Sequence, residues 1–360
     1  MSNLPLHLFP TNISTTQDIE VFNRCPYLWF NNRVVRWRKE SYNIHLLFGA
    51  EFAKARELTL IAYHQECLTA EDSIAIGQKY IAEHFTSMFE PSGFNNDVKT
   101  PAKMQEVFAR YCEQEFPLDS DFTPFVLPDG SISVDCMFTF ELPMLHPQTN
   151  LPLTISAKPD LLGFDSNDVI NLVDDKTASQ SGMNDVVKTT NILRAQNQFV
   201  QYVSLINKHK VLGEGRRIEQ VRVRKIVVTK KALVDGKKGT IPVNSQVVEQ
   251  YSFAIDRWYQ QEWLATTMDL LYEMVEMYKN WELGMPSSRA FRRRYGNCER
   301  FFMPCQLVEH CTDGAKQDLS SLGYTQEFMD KDTGEQKPLQ QKLEEMGLLQ
   351  TTKKEVKDGI

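Results

Sequence analysis

The stretch NLVDDKTAS, residues 171–179, constrains the fold more than any other part of the chain. Leu172 and Val173 run directly into Asp174, Asp175 and Lys176. Two carboxylates and an ammonium therefore stand at the end of what reads as a buried strand, where desolvating them is costly. On a strand, residues i and i+2 share a face, so Asp174 and Lys176 point one way and Asp175 the other. A second run, LTISAKPDLLGFD (153–165), comes just before and carries Pro159-Asp160. If the two runs pair as a hairpin turning at Ser166-Asn167, then Asp160 and Asp174, symmetric about residue 167, stand nearly opposite each other.

Two carboxylates converging on one point repel, which raises the pKa of one of them unless a cation sits between them. Mg²⁺ suits such a place, because it takes oxygen ligands from one or two carboxylates, water and phosphate. A lysine beside it can orient or deprotonate a water and can also contact a phosphate. The chemistry implied is metal-assisted attack of water on a phosphodiester. The alternative is a surface hairpin with scattered charges, which Asp-x-Lys alone does not exclude.

The surrounding pattern predicts a small mixed sheet flanked by helices, in the α/β class. Short helical spacing at 14–30 is redirected by Pro26. Amphipathic helices are expected at 46–66, 70–85 and 101–116, and strands at 131–145, 153–165, 168–179 and 218–230. Helices are expected again at 197–209 and 255–284, the latter closed by Gly284 with Pro286 beyond. This divides the chain into a helical region (1–130), a core with a cysteine cluster (131–312) and a charge-rich appendage (313–360) with one helical piece at 338–350.

No apolar run reaches the roughly 20 residues of a membrane span, and MSNLPLHLFP lacks the plan of a signal peptide. A cytoplasmic protein is expected. The net charge of −7 argues against non-specific coating of nucleic acid. Basic residues concentrate at 33–39, 215–231 and 288–300, where solvated surface charge and phosphate binding are both open readings. Seven cysteines without an export signal do not read as a disulfide framework. Cys67, Cys112 and Cys136 fall on apolar faces and read as buried small hydrophobes. Cys298, Cys305 and Cys311 cluster near the C-terminal end, with Cys25 far upstream. Converging thiolates select Zn²⁺ or an iron–sulfur cluster; the close Cys pairs usual for zinc are missing, and unligated core thiols are the bland alternative.

Pro159-Asp160 followed by Asp174-Asp175-Lys176-Thr177 resembles the PD-(D/E)XK nucleases of the RecB-like branch, with their restriction-endonuclease-like sheet. The resemblance implies metal-binding acids at Asp160 and Asp174, the motif lysine at Lys176, and a variable position at Asp175. Gln198 and Tyr202, at i and i+4 on a later helix, match that branch's Gln-x-x-x-Tyr motif, which contacts DNA or the lysine. Phe48-Gly49 and Glu57 match its first motif, implying that Glu57 assists the metal, but Ala53 occupies the position where relatives carry a histidine. Cys25, Cys298, Cys305 and Cys311 resemble the ligand set of the iron–sulfur members, the AddB and CRISPR-adaptation nucleases. They imply a [4Fe–4S] cluster, with Zn²⁺ as the alternative, clasping distant parts of the chain. The implied activity is Mg²⁺- or Mn²⁺-dependent hydrolysis of DNA, as an exonuclease in DNA processing or recombination. The resemblance leaves room for a helicase or recombination partner. A catalytically weak DNA-binding subunit is the competing reading, motivated by Ala53.

Overall fold

The apolar run that ends in Asp174 forms the middle of a five-stranded mixed sheet. Its strand order is Thr123–Pro124, Leu161–Phe164, Ile170–Ala178, Gln220–Val227 and Val248–Phe253. The computed structural model of the chain describes residues 9–39, 44–89, 99–119, 122–127, 129–178, 185–228, 248–294, 297–300, 303–312, 319–322 and 324–326. All neighbouring strands in this sheet are antiparallel except Ile170–Ala178 and Gln220–Val227, which run parallel. A parallel step needs a crossover, supplied here by the helices Val186–Arg194 and Asn197–Lys208. The middle strand reads as a continuous apolar run because both its faces are covered. Leu172 packs in one core with Leu162 and Val221, and Val173 in another with Leu161 and Ile226.

The run 153–165 is not the single strand expected. Pro152–Ala157 joins Phe138–Leu145 and Asn12–Ile13 in a separate three-stranded sheet, and only Leu161–Phe164 pairs with the Asp174 strand. Pro159 lies at the break, where a residue without an N–H cannot continue a ladder. The hairpin turn also spans more than Ser166-Asn167. Asp165 accepts the backbone N–H groups of Asn167 at 2.9 Å and Val169 at 3.1 Å, and Asp168 adopts φ 59°. The register is Leu161 opposite Val173 and Leu162 opposite Leu172, as symmetry about residue 167 requires. The segment 131–145 forms a strand only over Phe138–Leu145, because the chain turns at Asp135 with φ 52°. The strand Val248–Phe253 and the helix Val186–Arg194 are additions to the expected elements.

Three helices, Ile44–His64, Ala70–Tyr80 and Pro101–Asp119, cover one face of the sheet. Thr69 caps the second by accepting the Asp72 N–H at 3.1 Å. A Cβ on Gly77 would lie 2.4 Å from Thr59 Oγ1, so this glycine sets how closely the first two helices approach. The other face packs against Asn197–Lys208 and Arg257–Glu282, the latter ended by Gly284 at φ 99°. The N-terminal segment is helical over Thr15–Ile19 and Glu20–Arg24, breaks at Cys25 with φ −162°, and resumes at Pro26–Trp29. Within the expected appendage, Tyr324–Gln326 pairs with Trp37–Lys39 and Tyr324 is buried; the helical piece at 338–350 lies outside the described residues. Cys112 is buried, but Cys67 is exposed in a left-handed turn (φ 55°) rather than on an apolar face. Among the described residues, no helix is long and apolar enough to cross a membrane.

Candidate active site

Asp174 is fully buried, at the point where the middle strand leaves the core. Lys176, two residues on and on the same face, places Nζ 2.8 Å from Asp174 Oδ2 and donates to Oδ1 at 3.1 Å. Among the described residues, Oδ2 has no well-angled donor. From the crossover helix, Gln198 Nε2 donates to Asp174 Oδ1 and to the Tyr202 hydroxyl, both at 3.1 Å. Asp160 comes one residue before Leu161, whose register partner is Val173, and its carboxylate is near enough to act electrostatically on Asp174. The Asp174 pKa is pushed up to about 7, first by burial and then by the Asp160 carboxylate, against the pull of Lys176. Asp160 is also raised, chiefly by burial, although Arg56 counteracts this. Burial would lower the Lys176 pKa, but the Asp174 and Asp160 carboxylates hold it above the usual lysine value.

Asp175 turns to the opposite face, as strand alternation requires, into a buried network. Arg224 Nε lies 2.7 Å from its Oδ1, Arg56 Nε 3.1 Å from its Oδ2, and the Tyr111 hydroxyl donates to Oδ2 at 3.2 Å. Burial would raise the Asp175 pKa, but Arg224 and Arg56 hold it below the usual carboxylate range. Arg56 also lies 3.8 Å from Asp160 Oδ2, and the same oxygen accepts the Asp175 backbone N–H at 2.7 Å. The two faces of the strand are thus mechanically joined at Asp160.

The helix Ile44–His64 presents the remaining candidates. A Cβ on Gly49 would lie 3.2 Å from Thr177 Oγ1, so the glycine lets this helix approach the motif strand closely. Glu57 follows Arg56, ion-pairs with Lys54 at 2.7 Å, and helps Asp135 raise the pKa of Lys158 against the effect of burial. Ala53 is partly buried one turn before Glu57.

Cys25, Cys298, Cys305 and Cys311 line one cavity together with Tyr27 and Arg293. The Cys305 N–H donates to the Cys298 carbonyl at 2.6 Å, and Asn297 Nδ2 donates to the Arg24 carbonyl at 2.9 Å. Burial and neighbouring sulfurs raise the Cys305 and Cys311 thiol pKa values, although Arg24 and Arg293 respectively oppose this. Among the described residues, no three or more His, Cys, Asp or Glu side chains stand in ready metal-holding geometry, either here or around Asp160.

Among the described residues of the basic stretches, Arg216, Arg217, Arg289 and Arg292 are exposed, while others fold inward. Arg224 is buried against Asp175, Arg222 pairs with Asp165 at 3.2 Å, Arg293 stacks over Tyr27, and Arg33 pairs with buried Asp18 at 2.7 Å. These guanidinium groups answer carboxylates and rings that fold inward with them. Sequence reasoning missed Arg56 and Arg224. The available signal for Arg224 was its period-two spacing from Ile226 and Val228, which puts it on the face that carries those apolar residues.

A family model described as the PD-(D/E)XK nuclease superfamily matches residues 13–299. No curated protein matches the chain. Among solved structures, SSO0001 is 12% identical with a TM-score of 0.26, over 62% of this chain and 84% of that one. A Eubacterium rectale protein described as a "Putative exonuclease" is 13% identical with a TM-score of 0.33, over 82% of each chain. At TM-scores this low neither likeness bears on function, and the family match stands by itself.

Proposed function

The chain belongs to the PD-(D/E)XK nuclease superfamily, and from that premise we propose that it is a Mg²⁺- or Mn²⁺-dependent deoxyribonuclease. It works as an exonuclease on DNA ends or single strands, in DNA processing or recombination. The observation that carries this reading is the Asp174–Lys176 pair, 2.8 Å apart, with the Asp160 carboxylate near enough to act electrostatically on Asp174. The donor set fits a hard divalent cation: two buried, electrostatically coupled carboxylates of raised pKa, one with an oxygen lacking a well-angled donor among the described residues. Asp160 and Asp174 would hold the ion, with Glu57 assisting. When bound, the ion would supply charge stabilisation at the scissile phosphodiester and relieve the repulsion between the acids.

The chain's own groups do the rest. Lys176 keeps 40% of its side chain exposed, so its ammonium can orient an attacking water while Asp174 anchors it. Gln198 fixes the rotation of the Asp174 carboxylate and holds the Tyr202 hydroxyl beside the same group. Asp160 is held in place by the Asp175 N–H and by Arg56. The test offers labelled single- and double-stranded DNA with Mn²⁺ to wild type and Lys176→Ala. Wild type should shorten the strands, with the variant slower by about two orders of magnitude. Equal rates would overturn the assignment.

A second reading, a DNA-binding subunit with weak or lost catalysis, is favoured by Ala53. It predicts DNA binding that Asp160→Ala leaves unchanged and no metal-dependent cleavage. Cys25, Cys298, Cys305 and Cys311 we assign to a [4Fe–4S] cluster, with Zn²⁺ as the alternative. In support, four soft donors from both ends of the described chain line one cavity. The cluster's part would be a clasp, not a step in hydrolysis.

A further inference from the structure

Gln198 and Tyr202 also line a cavity of about 300 Å³, the rest of whose lining has no part in the proposed chemistry. Its walls come from distant parts of the chain: the Ser14–Thr16 turn, Ser156 at the end of a strand, Lys158, and the crossover helix. Among its described lining residues there is no Asp or Glu. The lining offers hydroxyls, amides and one ammonium. Such a set donates hydrogen bonds to an anion and repels none.

The turn is fixed in place. The Ser14 N–H donates to Asp18 Oδ2 at 2.8 Å, and fully buried Asp18 also accepts Trp29 Nε1 at 2.9 Å and pairs with Arg33 at 2.7 Å. On the facing wall, the Ser156 hydroxyl donates to Asn12 Oδ1 at 3.1 Å. Thr15, 3% exposed, carries a buried hydroxyl with no hydrogen-bond partner among the described residues. Lys158 is half-exposed, ion-paired with Asp135 at 2.6 Å, and stands two residues before Asp160. The volume lies at the lower end of small-ligand cavities (about 300–1,000 Å³), too small for a duplex and suited to one monomer unit.

We infer that this cavity is a nucleotide subsite, receiving the sugar–phosphate unit next to the scissile phosphodiester, with Lys158 and the Ser14–Thr16 hydroxyls on its phosphate. The inference rests on the nuclease reading for the strand to which that unit belongs, and on the lining for its chemistry. A strand entering here passes Gln198 and Tyr202 on its way to Asp174, which places the two motif side chains at the boundary between adjacent units.

The test titrates the full-length protein, in EDTA, with thymidine 5′-monophosphate, thymidine and inorganic phosphate by calorimetry. The monophosphate should bind, and thymidine at least about tenfold more weakly. Lys158→Ala and Thr15→Val should each weaken the monophosphate about tenfold, the loss of one charge-assisted hydrogen bond, while Thr15→Ser keeps it. Should Thr15→Val fail to fold in a thermal melt, Lys158→Ala, at a half-exposed position, carries the test. No monophosphate binding, equal binding of thymidine, or equal affinity in wild type and Lys158→Ala would each overturn the inference. Mn²⁺-dependent cleavage of DNA by wild type, alongside monophosphate binding that ignores Lys158, sinks the subsite and leaves the nuclease reading standing. Binding lost with Lys158 in a protein that never cuts does the opposite.

Discussion

The Asp175 backbone N–H donates to Asp160 Oδ2 at 2.7 Å, so the strand that carries one acid also holds the other. The Asp175 side chain goes the other way, behind the strand. Its carboxylate pairs with Arg224 and Arg56 there, while its N–H points to Asp160. The residue at the motif's variable position thereby becomes the hinge pin of the site.

Asp175→Ala should therefore be among the most destabilising single changes in the protein. It leaves two buried arginines, each 2% exposed, without their shared carboxylate. Breaking a buried pair in this way costs about 3–5 kcal/mol. Urea unfolding of wild type and variant measures it. A loss below about 1 kcal/mol would mean that water reaches the network.

Asp174→Asn should stabilise the protein while removing cleavage. In the unfolded chain this carboxyl titrates near its ordinary value, about 3.9; in the folded state the value is about 7. Folding thus favours the protonated acid, and its contribution is fully present below about pH 4 and lost as pH rises toward 7. Without added metal, the variant should melt with wild type at pH 4 and be about 1–3 kcal/mol more stable at pH 8. Melts across that range in EDTA decide the matter; a gap that does not widen with pH contradicts the burial of a strained acid.

Anaerobically purified protein should be brown, absorb near about 400 nm, and contain roughly four irons and four sulfides per chain. Cys305→Ser should lose the colour and melt earlier, because Cys305 lies in the cavity that joins residues 25 and 298–311. A colourless protein with stoichiometric zinc selects the alternative metal. Neither metal, with an unchanged melt in the variant, removes the clasp altogether.

Ala53→His tests what the helix is missing. The position is partly buried, one turn from Glu57 and on the helix that Gly49 brings against the motif strand. An added imidazole there should tighten Mn²⁺ and raise cleavage about tenfold or more. No gain in either, measured by metal titration and initial rates, indicates that the wild-type site manages with acids and water.

The pairing of Leu161–Phe164 with residues 170–173 was legible from the two apolar runs, and its centre at residue 167 is set by the five-residue loop 165–169. The turn is wider than the two-residue link the sequence suggests, because Asp165 gathers two backbone N–H groups. The break at Pro159 was readable in principle from its missing donor, but the apolar residues on both sides disguised two strands as one. Arg224 reaches Asp175 from 49 residues away, a pairing that no local pattern encodes. The strand Val248–Phe253 escaped because buried Glu249 interrupts its apolar alternation, its charge answered by Tyr251 at 2.8 Å.

The contacts that fasten the N-terminal segment to residues 294–311 also impose a schedule. Arg294 reaches the Asn23 carbonyl, Asn297 the Arg24 carbonyl, and Cys25 shares its cavity with Cys311. At about 5–20 residues per second, a ribosome that has released Cys25 needs on the order of 15–60 s to deliver Cys311. For that interval the first helical turns lack the neighbours that cover them in the folded protein.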